Sequence, residues 1–251
     1  MFIDTHCHLS KNDYDNISNV VEENIKAGVE KTIISGCTKE DLDETIEIIN
    51  NFPSVYATIG YHPEEANKII DTDLQKIESL ILINKIVGIG EIGLDYYYST
   101  ENKEKQKELF EKQLALAEKY NLPVVIHTRE ATNDTITILK KYKVKGIIHC
   151  FSGSYETACQ YIKMGYLLGI GGIITFKNCH LKDTIKQLSL ENIVLETDSP
   201  YLSPVPYRGE INTSKNIPII ARFIATELNL DTNIIENETT KNALSLFTKL
   251  H

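Results

Sequence analysis

Short runs of β-branched and aliphatic residues alternate along the chain with longer segments in which apolar positions recur every three or four residues. Runs of the first kind predict strands, and segments of the second kind predict amphipathic helices. Eight strands are predicted in this way, at Phe2–Thr5, Lys31–Ser35, Val55–Ile59, Ile86–Ile89, Pro123–Ile126, Gly146–Ile148, Tyr166–Ile170 and Ile193–Leu195. Because strands that alternate with helices are joined by right-handed crossovers, the pattern predicts a parallel sheet.

The longest predicted helix covers Glu101–Tyr120, where Phe110 and Leu114 lie on one face and Asn121 marks the end. A further helix is predicted at Asp231–Leu250. Eight strand–helix units in 251 residues leave about 31 residues for each unit, which suits a closed (β/α)8 TIM barrel of the α/β class. We therefore predict a single barrel domain over residues 1–251. The structural alternative is an open doubly wound sheet, which usually carries a glycine-rich loop after its first strand, whereas "DTHCHLS" contains no glycine.

Composition narrows the functional classes. A hydrophobic fraction of 42% with 24% charged residues is that of an ordinary globular protein. The net charge of −9 argues against a surface that tracks the phosphates of long nucleic acids, so any phosphate contact must come from a few local groups. The five cysteines are scattered, which disfavours a disulfide framework and a thiolate zinc site. No apolar run reaches the roughly 18 residues of a membrane span and no signal peptide is recognisable, so we expect a cytoplasmic protein.

Most of the histidines fall where predicted strands end. Five of the seven do so, and three carboxylates join them: His6, His8, His62, His127, His149, Glu91, Asp95 and Asp198. In a barrel, the carboxyl ends of the strands converge on one face, where the loops build the active site. Residues that are distant in the sequence are therefore expected to meet there.

Each of these residues also has an ordinary explanation, because a lone His-x-His pair is more often a polar turn and a strand-end histidine is commonly only hydrogen-bonded. The joint pattern favours a metal site, since unrelated surface residues have no reason to gather at the ends of alternating strands. Imidazole and carboxylate ligands without cysteine suit zinc, manganese, iron, cobalt, nickel or, with enough oxygen and water ligands, magnesium. Six candidate ligands exceed the three that one catalytic ion usually needs. We therefore expect two divalent cations, with Glu91 on the central fourth strand as the bridge.

Alternation along the first strand would place Asp4, His6 and His8 on one face and Cys7 on the other. Cys7 is thus expected to be buried away from the metal rather than to bind it. Asp4 and Asp95 are expected to orient the ligand histidines from behind.

Six motifs, in order along the chain, carry a resemblance to a known family: "FIDTHCHL", "GIGEIGLDYY", "VIHTRE", "HCFSGS", "GIGGIITFKN" and "LETDSPYLSPVPYRG". With these motifs the sequence resembles the TatD family of metal-dependent deoxyribonucleases over essentially its whole length. The resemblance implies a barrel of the metallo-dependent hydrolase type and a two-metal hydrolase acting on DNA. It implies that His6, His8 and Asp198 bind one metal, that His127 and His149 bind the other, and that Glu91 bridges them. Asp198 would also take a proton from the attacking water.

Three further residues are expected to contact substrate: His62, Arg129 and Arg208. Arginine suits phosphate oxygens because its planar guanidinium donates several hydrogen bonds. The sequence departs from the family after Arg208. Members commonly read Arg-Gly-Lys, a variable residue, then Asn-Glu-Pro, whereas this chain reads "RGEINTS", with changes at Glu210, Thr213 and Ser214. The departure concerns a loop that shapes substrate access, and a negative Glu210 would weaken binding of long polyanions.

The favoured hypothesis is therefore a deoxyribonuclease that degrades single-stranded DNA from its 3′ end, with two ions drawn from Mg²⁺, Mn²⁺ and Zn²⁺. A second hypothesis keeps the barrel and the metals but changes the bond to an amide or ester, as in removal of misacylated residues from transfer RNA. A third is a metal-stabilised scaffold without activity, against which the intact set of six ligands argues.

Overall fold

A computed structural model of the protein describes residues 1–98 and 100–250. Within these residues, eight strands form one sheet in which every neighbouring pair is parallel and the order follows the sequence. The strands are β1 (Phe2–Cys7), β2 (Val29–Gly36), β3 (Val55–Ile59), β4 (Ile86–Asp95), β5 (Val124–Arg129), β6 (Gly146–Ile148), β7 (Tyr166–Ile170) and β8 (Ile193–Leu195).

Helices alternate with these strands, as the sequence pattern predicts. Those in the described residues are α1 (Ile17–Lys26), α2 (Leu42–Asn51), α3 (Asp71–Leu80), α4 (Lys103–Tyr120), α5 (Thr132–Leu139), α6 (Tyr155–Lys163), α7 (Leu181–Ile185), α8 (Ile217–Leu228) and α9 (Thr232–Leu246). Short 3₁₀ turns add to the connections. Across the ranges 1–98 and 100–250, no helix is both long and apolar enough to cross a membrane.

The sheet curves until its first and last strands meet, which makes a nearly closed barrel. The backbone N–H of Asp198 donates to the carbonyl of His6 at 3.0 Å, and the N–H of His8 donates to the carbonyl of Ser199 at 2.6 Å. These bonds lie just beyond the end of β8, so they join the two edges at the carboxyl-terminal rim. The predicted (β/α)8 barrel is thereby confirmed.

The interior of the barrel changes from apolar to polar along the strands. Seven strands each contribute one side chain to a buried inner cluster: Ile3, Ile33, Tyr56, Val87, Val125, Ile147 and Val194. Because strand residues two apart point to the same side, the next inward layer is formed two residues later. On β2, on β5 and just after β6 and β8, that layer is polar: Ser35, His127, His149 and Glu196. The strands therefore lead from a core directly into a site.

The opposite end of the barrel is closed by the segment that follows α9. Phe247 and Leu250 belong to the inner cluster, and Phe247 is completely buried. A large aromatic ring at this end excludes water from the apolar layer. The polar layer can thus be reached only from the carboxyl-terminal side, as far as the described residues define the barrel.

Four strands extend further than predicted, β1 to Cys7 and β2 at both of its ends. β4 continues to Asp95 instead of ending at Ile89, and β5 continues to Arg129. The prediction for β4 was wrong because glycine is usually unfavourable in strands. In this barrel the glycines allow close approach: Gly93 has φ +147°, and a Cβ there would lie 1.9 Å from the carbonyl oxygen of His127. Residues expected in loops therefore belong to strands and are held more firmly.

The predicted helices form with small changes at their ends. α4 begins at Lys103, and its predicted inner face is confirmed because Phe110 and Leu114 are completely buried. Asn121 ends the helix in the left-handed conformation, with φ +50°. The C-terminal helix ends at Leu246 rather than at residue 250, since the following backbone leaves helical geometry.

Candidate metal centre

The six predicted metal ligands meet at the carboxyl ends of five strands. They come from β1, β4, β5 and the residues after β6 and β8: His6, His8, Glu91, His127, His149 and Asp198. The sequence separates these residues by almost 200 positions, and only the parallel barrel brings them together. The site opens into a cavity of about 1080 Å³, slightly larger than the roughly 300–1,000 Å³ typical of ligand pockets.

Glu91 lies between two pairs of histidines. Its Oε1 is 2.7 Å from Nδ1 of His127 and 2.8 Å from Nε2 of His149. Its Oε2 is 3.5 Å from Nε2 of His6 and 3.7 Å from Nε2 of His8. Each oxygen of one buried carboxylate therefore faces its own pair of imidazoles. This arrangement could hold two cations with Glu91 between them.

Asp198 belongs to the side of the site that contains His6 and His8. Its Oδ1 is 3.3 Å from Nε2 of His6 and 3.6 Å from Nε2 of His8. The residue has φ +54°, a left-handed conformation that costs a residue with a side chain about 1–3 kcal/mol. Its backbone hydrogen bond to β1 holds this conformation, so the carboxylate is aimed at the histidines.

Different groups orient the rings of His127 and His6 from behind. Asp95 accepts a hydrogen bond from Nε2 of His127 at 2.9 Å, as expected from the sequence. Nδ1 of His6 lies 3.1 Å from the hydroxyl of Ser35, which is itself 2.9 Å from the hydroxyl of Thr58. A chain of hydroxyls, rather than a carboxylate, therefore fixes the His6 ring.

The expectation for Asp4 was wrong. Its carboxylate accepts hydrogen bonds from the N–H and the hydroxyl of Thr197, at 3.0 Å and 2.5 Å, and reaches no imidazole. The physical reason is an irregularity in β1, whose register against β2 shifts between Asp4 and Cys7, so that strict alternation does not hold. Asp4 thus ties β1 to the segment after β8. Cys7 is buried, and its thiol contacts the carbonyl of Ile33 at 3.6 Å, in agreement with the prediction that it does not face the metal site.

Two residues at the site were not singled out from the sequence. Glu196 is completely buried, accepts a hydrogen bond from the N–H of Cys150 at 2.5 Å, and lies 3.7 Å from Nδ1 of His149. The thiol of Cys37 is 3.8 Å from Oε2 of Glu91. Glu196 could have been predicted from the sequence, because alternation from Val194 through Glu196 to Asp198 places it on the side of the strand that faces the site. Cys37 could not, because a single cysteine after a strand does not indicate a site.

The buried charges shift one another's pKa values. Burial opposes ionisation of Glu91, but the neighbouring charge of His149 and the hydrogen bonds from His127 and His149 outweigh it and hold the pKa of Glu91 well below its usual value. Burial likewise opposes charge on His149, yet the Glu91 and Glu196 carboxylates raise its pKa well above the usual value. Burial, followed by the charge on His149, lowers the pKa of His6. Asp198 stays ionised because its interactions with the imidazoles of His6 and His8 overcome its burial and lower its pKa.

The donor set fits divalent cations. Among the described residues, Nε2 of His6 is buried without a hydrogen-bond partner, although two carboxylate oxygens lie within 3.5 Å. Leaving such a nitrogen unsatisfied is unfavourable in a folded protein. A neutral imidazole nitrogen between carboxylates is a favourable donor for Zn²⁺, Mn²⁺ or a similar ion.

The predicted substrate residues are placed differently from one another. Nε2 of His62 lies 3.8 Å from Oε1 of Glu91, and its ring packs against His127 with the centroids 4.5 Å apart. Arg129 lines the cavity, with its guanidinium 3.6 Å from the ring centroid of Tyr97. Arg208 is exposed on the β8 loop, 4.0 Å from the ring centroid of Phe176, and is not among the residues that line the cavity. His62 and Arg129 therefore face the site, and Arg208 lies further out.

Comparison with known proteins agrees with this geometry. Residues 3–248 match the family described as TatD related DNase. The chain belongs to the TatD family. It is 39% identical to the metal-dependent hydrolase YabD of Bacillus subtilis, over 98% of this chain and 99% of that protein. It is 31% identical to the metal-dependent hydrolase YcfH of Escherichia coli, over 98% of this chain and 95% of that protein.

Solved structures of the TatD family have the same fold. The crystal structure of the TatD homologue YjjV from Escherichia coli superposes with a TM-score of 0.90 at 29% identity, over 98% of each chain. A TatD family hydrolase from Entamoeba histolytica superposes with a TM-score of 0.88 at 26% identity, over 99% of this chain and 98% of that one. This protein is therefore a metal-dependent hydrolase of the TatD family.

The three residues that depart from the TatD pattern after Arg208 lie in two different environments. Glu210 is exposed, and its carbonyl accepts a hydrogen bond from the hydroxyl of Ser203 at 2.7 Å. Thr213 and Ser214 are buried, and the hydroxyl of Ser214 contacts the thiol of Cys7 at 3.9 Å. Only the first of the three changes therefore alters the outer surface of the loop.

Proposed function

We propose that this TatD-family protein is a two-metal deoxyribonuclease that removes nucleotides from the 3′ ends of single-stranded DNA. The observation that carries the two-metal proposal is the position of Glu91, whose two oxygens face separate pairs of histidines. The family description supplies the class of substrate. The open cavity and the arginine at its edge support a substrate that is larger than a metabolite and carries phosphate.

Each proposed cation has its own set of ligands. One ion would be held by His6, His8 and Asp198, and the other by His127 and His149, with Glu91 shared between them. When bound, such ions supply positive charge that lowers the pKa of a water molecule and polarises a phosphodiester. We propose Mg²⁺, Mn²⁺ or Zn²⁺ in both positions, in accordance with the mixed nitrogen and oxygen donors.

Asp198 is the proposed general base. It remains ionised, and its carboxylate is at the edge of the cavity rather than in the core. From this position it can accept a proton from the water that attacks phosphorus. The left-handed backbone and the bond to β1 keep the carboxylate in place during the reaction.

His62 is the proposed hydrogen-bond donor to substrate. Burial, partly offset by Glu91, lowers its pKa to about 4, so the ring is neutral at pH 7. Its Nδ1 accepts a hydrogen bond from the N–H of Glu64 at 3.3 Å, which assigns the ring proton to Nε2. That N–H points to the Glu91 side of the cavity, where it can bind a phosphate oxygen. Arg129, and Arg208 further out, would add positive charge for the neighbouring phosphates.

Activity can be tested directly with purified protein and Mg²⁺, Mn²⁺ or Zn²⁺. The substrates are end-labelled single-stranded DNA, duplex DNA, RNA and a small ester. We expect metal-dependent shortening of the single strand from its 3′ end, reduced about 100-fold or more in Asp198→Asn, since general-base catalysis contributes about 10²–10⁴-fold. Asp43→Asn is the matched control, because the Asp43 side chain is 84% exposed and pairs with a surface lysine. Ester hydrolysis without cleavage of any nucleic acid would overturn the nuclease proposal.

Metal counting tests the bridge separately. We expect two ions per chain in the unmodified protein and at most one in Glu91→Gln, because each ion would lose a shared ligand. Glu64→Gln, on an exposed side chain beside His62, should keep both. Full occupancy of two ions in Glu91→Gln would show that Glu91 does not bridge them.

One observation favours the second hypothesis, hydrolysis of an amide or ester. Carboxylates from the loops and helix starts after β1, β2 and β3 line one edge of the cavity: Asp13, Glu40, Asp41, Glu44, Glu64 and Glu65. This edge repels a polyanion and tolerates a neutral or cationic group. The same panel of substrates separates the two hypotheses, since an aminoacyl ester would then be cleaved and DNA would not.

A further inference from the structure

Two exposed tyrosines line the cavity on opposite sides of the metal centre. Tyr98 follows β4 and is 68% exposed, and Tyr201 follows β8 and is 61% exposed. β4 and β8 are four strands apart in a ring of eight, so the two rings stand across the mouth from each other. Large aromatic side chains left in water beside a site commonly mark a binding surface.

The backbone of Tyr201 is fixed by two hydrogen bonds, although its ring is exposed. Its N–H donates to the carbonyl of Asp198 at 3.0 Å, and its carbonyl accepts from Nδ2 of Asn212 at 2.7 Å. The ring is edge-on to that of His8, with the centroids 6.3 Å apart. The Tyr201 ring therefore lies next to the proposed metal ligands.

Tyr98 belongs to a second aromatic group on the other side. Its ring is edge-on to Tyr97, with the centroids 4.9 Å apart, and the guanidinium of Arg129 lies 5.1 Å from its centroid. The backbone N–H of Tyr97 donates to Asp95 at 2.8 Å, which ties this group to the support of His127. An aromatic ring beside a guanidinium can receive a base and a phosphate of the same nucleotide.

The charges around the mouth of the cavity favour one path for a bound strand between Tyr98 and Tyr201. Carboxylates occupy the edge over β1, β2 and β3, whereas the cavity residues contributed by the end of β5 and by the segments after β6 and β7 include Arg129, Ser152 and Ile173. A phosphodiester chain is repelled from the first edge and accepted by the second. A strand that crosses the mouth is therefore directed over β5, β6 and β7, from Tyr98 to Tyr201.

We propose that Tyr98 and Tyr201 are stacking platforms for two bases that flank the scissile phosphate of single-stranded DNA. The inference rests on the proposed nuclease function and adds the means of selecting unpaired strands. Bases in a duplex are already stacked on their neighbours, so only an unpaired strand can place its bases on both rings. Stacking on a ring face is tolerant of sequence, which predicts little base preference.

The test compares two short 3′-terminal oligonucleotides, one with normal bases and one with abasic residues on either side of the terminal phosphodiester. Binding is measured in Asp198→Asn so that the probe survives. Loss of a stacked base should weaken binding roughly 5- to 150-fold, the range that corresponds to base–aromatic stacking. Tyr201→Leu and Tyr98→Leu should each bind the normal probe more weakly and lose part of the difference between probes, while Tyr201→Phe should restore it. Tyr207→Leu is the matched control, since Tyr207 is exposed on the same loop but does not line the cavity.

A fluorescence measurement gives an independent readout because the chain contains no tryptophan. Tyr201→Trp provides one indole at the mouth, whose emission should be quenched by the normal probe and much less by the abasic one. Leu82→Trp is the control, on an exposed residue at the start of the segment that leads into β4, at the far end of the barrel.

The outcomes separate this inference from the proposed function. If the unmodified protein cleaves DNA but binds normal and abasic probes equally, with no effect of the leucine variants, the stacking inference is overturned and the nuclease remains. If it binds normal probes preferentially through both tyrosines but cleaves no nucleic acid, the nuclease proposal fails and the binding surface stands.

Discussion

Glu91→Gln removes the carboxylate charge that lies among the histidines of the site while leaving the shape of the side chain almost unchanged. Glu91 is 3% exposed and lies 2.8 Å from Nε2 of His149 and 2.7 Å from Nδ1 of His127. Taking away one partner of a buried ion pair costs about 3–5 kcal/mol, because the other charge is left without compensation. For a chain of this size, 1 kcal/mol lowers the melting temperature by about 2–4 °C. We therefore expect the metal-free variant to melt about 6–20 °C below the unmodified protein.

The pH dependence of this loss of stability follows from the shifted pKa values of His149 and Glu91. The pKa of His149 is raised in the folded protein, so its contribution to stability is full below the unfolded value of about 6.5 and is lost as the pH rises through the folded value. The pKa of Glu91 is lowered, so its contribution is full above about 4.5 and is lost only in stronger acid. The two pKa shifts describe the same ion pair, whose contribution to stability is full between about pH 4.5 and 6.5. The difference between the two proteins should be largest near pH 6 and smaller near pH 9.

The assay is chemical and thermal unfolding in the presence of a chelator at pH 6 and pH 9. Glu64→Gln serves as the control, because its side chain is 53% exposed and an exposed ion pair contributes only about 0–1 kcal/mol. A loss below about 0.5 kcal/mol at pH 6, or a larger loss at pH 9 than at pH 6, would show that Glu91 does not compensate charged histidines.

Three further predictions concern the surrounding structure. Gly169→Ala would place a Cβ 2.1 Å from Oε2 of Glu196, so we expect the free energy of unfolding in denaturant to fall by about 1–3 kcal/mol and Mn²⁺ binding in calorimetry to weaken. Unchanged Mn²⁺ affinity would contradict a role of Glu196 behind the site. Phe247→Ala should cost about 3–5 kcal/mol by emptying the closed end of the barrel, with the metal content per folded chain unaltered; a loss under 1 kcal/mol would mean that this ring does not seal the core. Asn121→Ala should cost about 1 kcal/mol because the residue has φ +50°, whereas Asn121→Gly should be neutral or stabilising, and equal effects of the two would argue against the left-handed end of α4.

The mouth of the barrel reconciles a strongly acidic chain with a nucleic acid substrate. Apart from Glu91, Asp95 and Asp198 at the metal centre, the carboxylates that line the cavity follow β1, β2 and β3, and Arg129 lies on the opposite part of the rim. Net charge describes the whole surface, whereas an enzyme that acts on chain ends needs favourable charge only along a few nucleotides. A charge of −9 is thus compatible with the proposed substrate.

The order of the elements and the candidate site residues follow from the sequence alone. Apolar periodicity is a local property of the backbone, so the barrel could be predicted from the runs of β-branched residues and the helix periods between them. The same logic placed His6, Glu91, His127, His149 and Asp198 at strand ends without any knowledge of distances. The solved relatives confirm the fold that this pattern predicts.

Which atoms meet in the site depends on contacts across the folded barrel. A register shift in β1 turned Asp4 away from the histidines, and close approach at Gly93 carried β4 on to Asp95. Barrel closure, which no local pattern encodes, set each oxygen of Glu91 against its own pair of imidazoles and brought Tyr98 and Tyr201 to one cavity. Side-chain direction depends on bulges, glycine contacts and the curvature of the whole sheet, and these arise from contacts between residues far apart in the chain.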